Sequence, residues 1–105
     1  MKKSWRPQTK LVHAGSLRSQ YGEMSEGIFM TQGFLYENSA AAEARFKGED
    51  DGFIYARYGS PTNDMFEKRM CALEGAEDAR ATASGMAAVS AAILCQLKAG
   101  DHIVA

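Results

Sequence analysis

Apolar residues recur at helical spacing mainly in the second part of the chain. Phe66, Met70 and Leu73 stand three and four apart, with Ser60 placed to cap, Pro61 at the first helical position and Asp64 in the first turn. Gly75 stops the run, so the pattern predicts a helix from Pro61 to just before Gly75. Ala79 to Ala83 then reads as a short strand. Ser84 opens a second helix whose Met86, Val89, Ile93 and Leu97 form one stripe ending at Gly100. His102, Ile103, Val104 and Ala105 begin another apolar strand. Strand, helix, strand implies a crossover in a parallel sheet, and therefore an α/β fold. A buried strand needs neighbours on both edges, so these residues are expected to be the front part of a longer protein.

The first 60 residues behave differently. They lack sustained periodicity, carry glycines at 15, 22, 27, 33, 48, 52 and 59, and hold most of the aromatic side chains. This is the pattern of an extended arm. Within it, only Ser39 to Phe46 reads as a helix, with Ser39 as its cap and Gly48 as its end. Glu49, Asp50, Asp51 and Gly52 make a solvated turn and lack the alternating ligands of a calcium loop. The expected organisation is an arm over residues 1–60 and the opening of an α/β domain over residues 61–105.

Composition narrows the classes. The 105 residues are 46% hydrophobic and 24% charged, which argues against disorder. A formal charge of -1, without a basic stripe, argues against nucleic acid or an anionic membrane as a partner held by gross charge. The start, Met1 to Pro7, is basic but has no apolar stretch behind it. No run approaches the roughly 18 apolar residues of a membrane span, so a cytoplasmic protein is expected. Cys71 and Cys95 form no CxxC pair and are expected as buried, reduced thiols. His13 and His102 lie at opposite ends of the chain with no second ligand at metal spacing, so no metal is assigned. Lys68 and Lys98 are read as complements to helix dipoles and not as catalytic amines.

Two short tracts have chemistry to offer. Ser84, Gly85 and Met86 sit where a strand turns into a helix, so free amides and the positive end of the dipole point outward. Gly85 would let an anion approach the backbone, and the Ser84 hydroxyl would cap the helix or donate to an oxygen. Tyr55 and Arg57, two apart on an extended backbone, would share a face and present a phenol and a guanidinium to a dianionic group. Each tract also has a plain explanation: an ordinary N-cap with a tight turn for the first, a surface arginine beside packed aromatics for the second. Taken singly, both favour the plain one.

Longer motifs change that balance. Tyr55 to Thr62 (YARYGSPT), Ala72 to Glu77 (ALEGAE), Ser84 to Ala88 (SGMAA) and Lys98 to His102 (KAGDH) closely resemble, in order and spacing, the Cys/Met metabolism family of pyridoxal-phosphate enzymes. Thr9, Val12, His13 and Gly15 resemble the family's opening motif, so the likeness runs from about residue 9 to the last residue. The departures are small: Ala56 stands where Ser is common and Ser60 where Asn is common, and neither removes a phosphate donor.

The resemblance implies the N-terminal part of a fold type I, aspartate aminotransferase-like enzyme, with an arm followed by the start of the large α/β/α cofactor domain. The implied cofactor is pyridoxal 5'-phosphate. Its phosphate would be bound by Ser84 and the amides of Gly85 and Met86, and by Tyr55 and Arg57 reaching over from the neighbouring subunit of a homo-oligomer, a dimer of active sites or a tetramer. The substrate class is a small amino acid. Ala44 to Glu49 and Asn63 to Glu67 resemble most the family members that replace the succinyl group of O-succinylhomoserine by sulfide. The alternatives within the family are cysteine in place of sulfide, the acetyl ester in place of the succinyl one, and γ-elimination; a non-enzymatic phosphate-binding module is the rival from outside it. None of the six lysines matches the one that forms the Schiff base, so no catalytic residue is expected here and the 105 residues alone are expected to be inactive.

Overall fold

The computed structural model describes residues 5–104. Its regular elements are four helices: α1 (Pro7–His13), α2 (Ser39–Lys47), α3 (Pro61–Glu74) and α4 (Gly85–Leu94).

The best formed is α3, for the reasons visible in its sequence. Ser60 accepts the Asn63 N–H on its side chain, Pro61 fills the first helical position, and Gly75 closes the helix in the left-handed region at φ 69°. Its inward face differs from the expected one. Met65 is buried with Pro61, whereas Phe66 lies half exposed. The partner sets this face: α1 packs along α3, with Gly15 after it against Met65, Lys68 and Arg69, and Lys10 reaching Ala72.

No periodicity announces α1, which is only seven residues long. Pro7 at its start is the signal that could have found it. The helix ends at Ala14, which is 1% exposed, and the chain turns at Gly15 with φ 71°. A Cβ at Gly15 would stand 2.7 Å from the Met65 carbonyl oxygen and 2.9 Å from the Lys68 Cβ. Only a glycine allows the arm to lie this close to α3 in that conformation. Lys10 Nζ donates to the Ala72 carbonyl at 3.0 Å and closes the far end of the α1–α3 contact.

The second helix forms where it was expected, with a shifted cap: Asn38, not Ser39, accepts the Ala41 N–H at 2.9 Å. Arg45 holds the segment after this helix. It pairs with Asp50, donates to the Phe53 carbonyl at 3.3 Å and stacks over Tyr36 at 5.2 Å. Phe34 and Phe53 meet at 5.3 Å, and a lone antiparallel bridge joins Gly33 to Tyr55.

Three expectations about the second half are corrected. Ala79–Ala83 and residues 102–104 are not strands; Ala105, the last residue of the second expected strand, and Met1 to Ser4, with the basic Lys2 and Lys3, lie outside the described residues. A strand exists only as a member of a ladder, and among the described residues neither stretch has one. The Ala81 N–H is taken instead by Glu67 Oε1 at 2.7 Å, which folds the chain back along α3. The helix after Ser84 ends at Leu94, so Leu97 and Lys98 lie beyond it. Cys95, expected as buried, is exposed, and Cys71 is half-buried. Lys68 pairs with Asp64 one turn back at 2.6 Å.

The whole is open. Its radius of gyration is 17.0 Å, against about 13 Å for a compact chain of this length. Its accessible surface of 8838 Å² compares with about 5,800 Å² for a compact protein of the same mass. Met86, Val89, Ile93 and Leu94 of α4 are all exposed, as are Tyr21, Met24, Met30 and Leu35 of the arm.

Candidate functional site

The start of α4 is built by Ser84. Its backbone is extended, its side chain accepts the Ala87 N–H at 3.1 Å, and its carbonyl accepts the Ala88 N–H at 3.1 Å. The donors of Ala87 and Ala88 are thereby satisfied. The N–H groups of Gly85 and Met86 have no partner among the described residues, and both residues are exposed. A Cβ built on Gly85 would meet nothing within 4 Å. Two adjacent amides at the positive end of a helix, with open space before them, suit a phosphate. Thr82 donates its hydroxyl to the Ser84 carbonyl at 2.9 Å and shapes the approach; no motif in the sequence singles it out.

The second tract is organised by a turn. Extended backbone was expected from Tyr55 through Arg57, but the N–H groups of Tyr58 and Gly59 both bond to the Tyr55 carbonyl, at 2.9 and 3.2 Å. The chain must reverse here to reach α3, whose cap Ser60 is buried. The phenol and guanidinium still come together, by stacking and not by alternation. Arg57 lies over the rings of Tyr55 and Tyr58, 5.6 Å from each centroid, and those rings meet edge-on at 6.3 Å. All three side chains are exposed. Among the described residues no carboxylate pairs with Arg57, so its donors are available to an added anion.

Within one chain the two tracts are not joined: among the described residues no hydrogen bond or ion pair links Tyr55 or Arg57 to Ser84, Gly85 or Met86. The two sets of donors fit a phosphate separately.

The comparisons agree with this chemistry. Residues 8–105 match the family described as Cys/Met metabolism PLP-dependent enzyme. An O-succinylhomoserine sulfhydrylase of Mycobacterium tuberculosis is 48% identical over 94 residues, 90% of this chain and 23% of the relative. An L-methionine gamma-lyase of Fusobacterium nucleatum subsp. polymorphum is 42% identical over 96 residues, 91% of this chain and 24% of the relative. A crystal structure from Campylobacter jejuni containing N'-pyridoxyl-lysine-5'-monophosphate superposes with a TM-score of 0.77 at 30% identity, over 81% of this chain and 21% of that one. The chain thus spans about a quarter of the length of the curated relatives it matches. Its helices have the arrangement found in the N-terminal part of fold type I enzymes, which explains expected strands without a sheet. On these grounds, the chain belongs to the Cys/Met metabolism family of PLP-dependent enzymes.

Proposed function

We propose that the full-length protein converts O-succinylhomoserine and sulfide to homocysteine and succinate, a γ-replacement in methionine biosynthesis, and that it works in the cytoplasm. The observation that carries this reading is the open helix start with two unpaired amides at Gly85 and Met86, in a chain 48% identical to an O-succinylhomoserine sulfhydrylase. When bound, pyridoxal phosphate supplies an electron sink for carbanions at the amino-acid substrate.

The residues of this chain bind and orient. The Gly85 and Met86 amides would hold the cofactor phosphate, and the dipole of α4 would favour its charge. Ser84 holds the turn in shape through Ala87, and its hydroxyl would be a further donor to the same anion. Tyr55 and Arg57 donate to the phosphate of the neighbouring subunit in a homo-oligomer, which suits a pair of stacked donors exposed on the surface and unjoined to their own chain's helix start. Residues 1–60 then serve as the arm that reaches across, and residues 61–105 open the cofactor domain. Gripped from two sides, the phosphate would be held in one orientation, which is the positioning these residues contribute.

The test is made on the full-length enzyme. Arg57→Ala is expected to weaken cofactor binding by about 1.5–3 kcal/mol, the worth of a charge-assisted contact. Unchanged affinity on titration of the apoenzyme would remove Arg57 from the site. Assays with succinyl- and acetylhomoserine, each with sulfide or cysteine, should give fastest homocysteine release from the succinyl ester with sulfide. The similarity to an L-methionine gamma-lyase supports elimination as the second reading, and faster ammonia release from methionine would establish it.

A further inference from the structure

Arg69 lies in the middle of α3, outside the two tracts that offer donors to an anion, yet it makes the densest set of contacts between the arm and the helices. Nε donates to the Ala14 carbonyl at 3.1 Å, and Nη2 donates to Ser16 Oγ at 3.4 Å and to Glu26 Oε1. Arginine and glutamate are both largely covered, at 21% and 34% side-chain exposure. The guanidinium holds the Glu26 carboxyl below its usual range, with the Ser16 hydroxyl adding to the effect. Three residues beyond Glu26, the Phe29 N–H donates to Thr62 Oγ1 of α3 at 2.9 Å. From there the arm runs directly to the anion-facing turn: the Gln32 carbonyl accepts the Ala56 N–H at 2.8 Å, and Gly33 bridges to Tyr55.

The turn that carries Tyr55 and Arg57 is therefore held from two directions. On one side it continues into the buried Ser60–Pro61 start of α3. On the other it leans on an arm strip that is tied back to the same helix by Thr62 and Arg69. Without Arg69 the strip keeps Thr62 but loses its anchor at Ala14, Ser16 and Glu26.

We infer that Arg69, with Glu26, is a positioning residue for the cofactor anchor: it sets the arm strip against α3 and, through Gln32 and Gly33, fixes where the Tyr55–Arg57 turn presents its donors. The inference rests on the reading of Tyr55 and Arg57 as phosphate donors. It differs from a purely structural role, because the effect should pass through those two side chains.

The experiment is a double-mutant cycle in the full-length enzyme, read as the Kd for pyridoxal phosphate on titration of the apoenzyme. Arg69→Met, which keeps the apolar stem, is expected to raise Kd roughly fivefold to tenfold, about the loss of one ordinary hydrogen bond. In a Tyr55→Phe/Arg57→Ala background the same substitution should leave Kd unchanged, and Arg69→Lys, which keeps the charge opposite Glu26, should recover part of the affinity in the parent. An equal loss in both backgrounds would overturn the inference and assign Arg69 to stability alone. If Tyr55→Phe/Arg57→Ala weakens binding while Arg69→Met does not, the inference fails and the donor reading survives. If Tyr55→Phe/Arg57→Ala has no effect, both fail. Should Arg69→Met not fold, Glu26→Gln is measured on the same criteria.

Discussion

At the scale of single residues, the tightest constraint is at Gly15. Its φ of 71° and the 2.7 Å that would separate a Cβ from the Met65 carbonyl act together. The left-handed conformation alone costs an alanine about 1–2 kcal/mol, and here the obstructing atom is backbone, which cannot swing away. Gly15→Ala is therefore expected to destabilise the full-length protein by at least about 1–2 kcal/mol, measured as a lower midpoint in urea with an unchanged slope. A wild-type midpoint would show that α1 docks less closely than described. Arg57 is constrained in another sense: its guanidinium is placed by two rings and by no acid among the described residues.

At the scale of elements, Ser84 caps α4, and the duty proposed for it toward the anion is separable from that one. Removing its side chain leaves the Ala87 N–H without its acceptor. Ser84→Ala is expected to cost about 1 kcal/mol as the loss of an N-cap, and Ser84→Asp should restore that stability while weakening cofactor binding by charge repulsion. Denaturation and cofactor titration of the same two variants check this; parallel changes in both would refute the division. Elements with their own punctuation were legible in the sequence. Ser60, Pro61 and Gly75 bracket α3, and Ser84 opens α4, because caps and left-handed turns are local events. Features that depend on a partner failed to show. Ala79–Ala83 has the composition of a strand, but without a ladder its backbone turns to Glu67. Met65 rather than Phe66 faces inward because α1 happens to lie on that side, and α1 is too short to show a period. The Tyr55–Arg57 pairing was anticipated for the wrong local reason, a strand's alternation in place of a turn. Arg69 carries no motif at all, and its role rests on residues more than 40 positions away.

At the scale of the molecule, surface exceeds what a compact protein of this mass would show by about 3,000 Å². Large apolar side chains are exposed on α4 and the arm, and Phe66, Ile103 and Val104 are exposed besides, so the described residues lack the contacts to hold themselves together. The 105-residue chain expressed alone is expected to bind a hydrophobic dye strongly and to melt without a cooperative transition. A sharp calorimetric peak from that chain would show that α1 packed on α3 is sufficient for stability. The same geometry explains how a candidate site can be read on a chain spanning about a quarter of its relatives' length. The parts proposed to bind the anion are caps and turns, which form locally, whereas the apolar faces need partners the described residues do not supply.

The stacking of Arg57 over two adjoining tyrosines has a consequence for how fast and how firmly an anion can be captured. A free arginine on a surface samples many rotamers and forfeits them when it is clamped. This one already lies over two adjoining rings, 5.6 Å from each centroid, with its turn tied at both ends. Part of that entropy is lost before any ligand arrives, so the arm can meet a phosphate as a preset fork, and replacing Tyr58, which is assigned no donor role, with leucine should slow capture even though Tyr55 and the guanidinium remain.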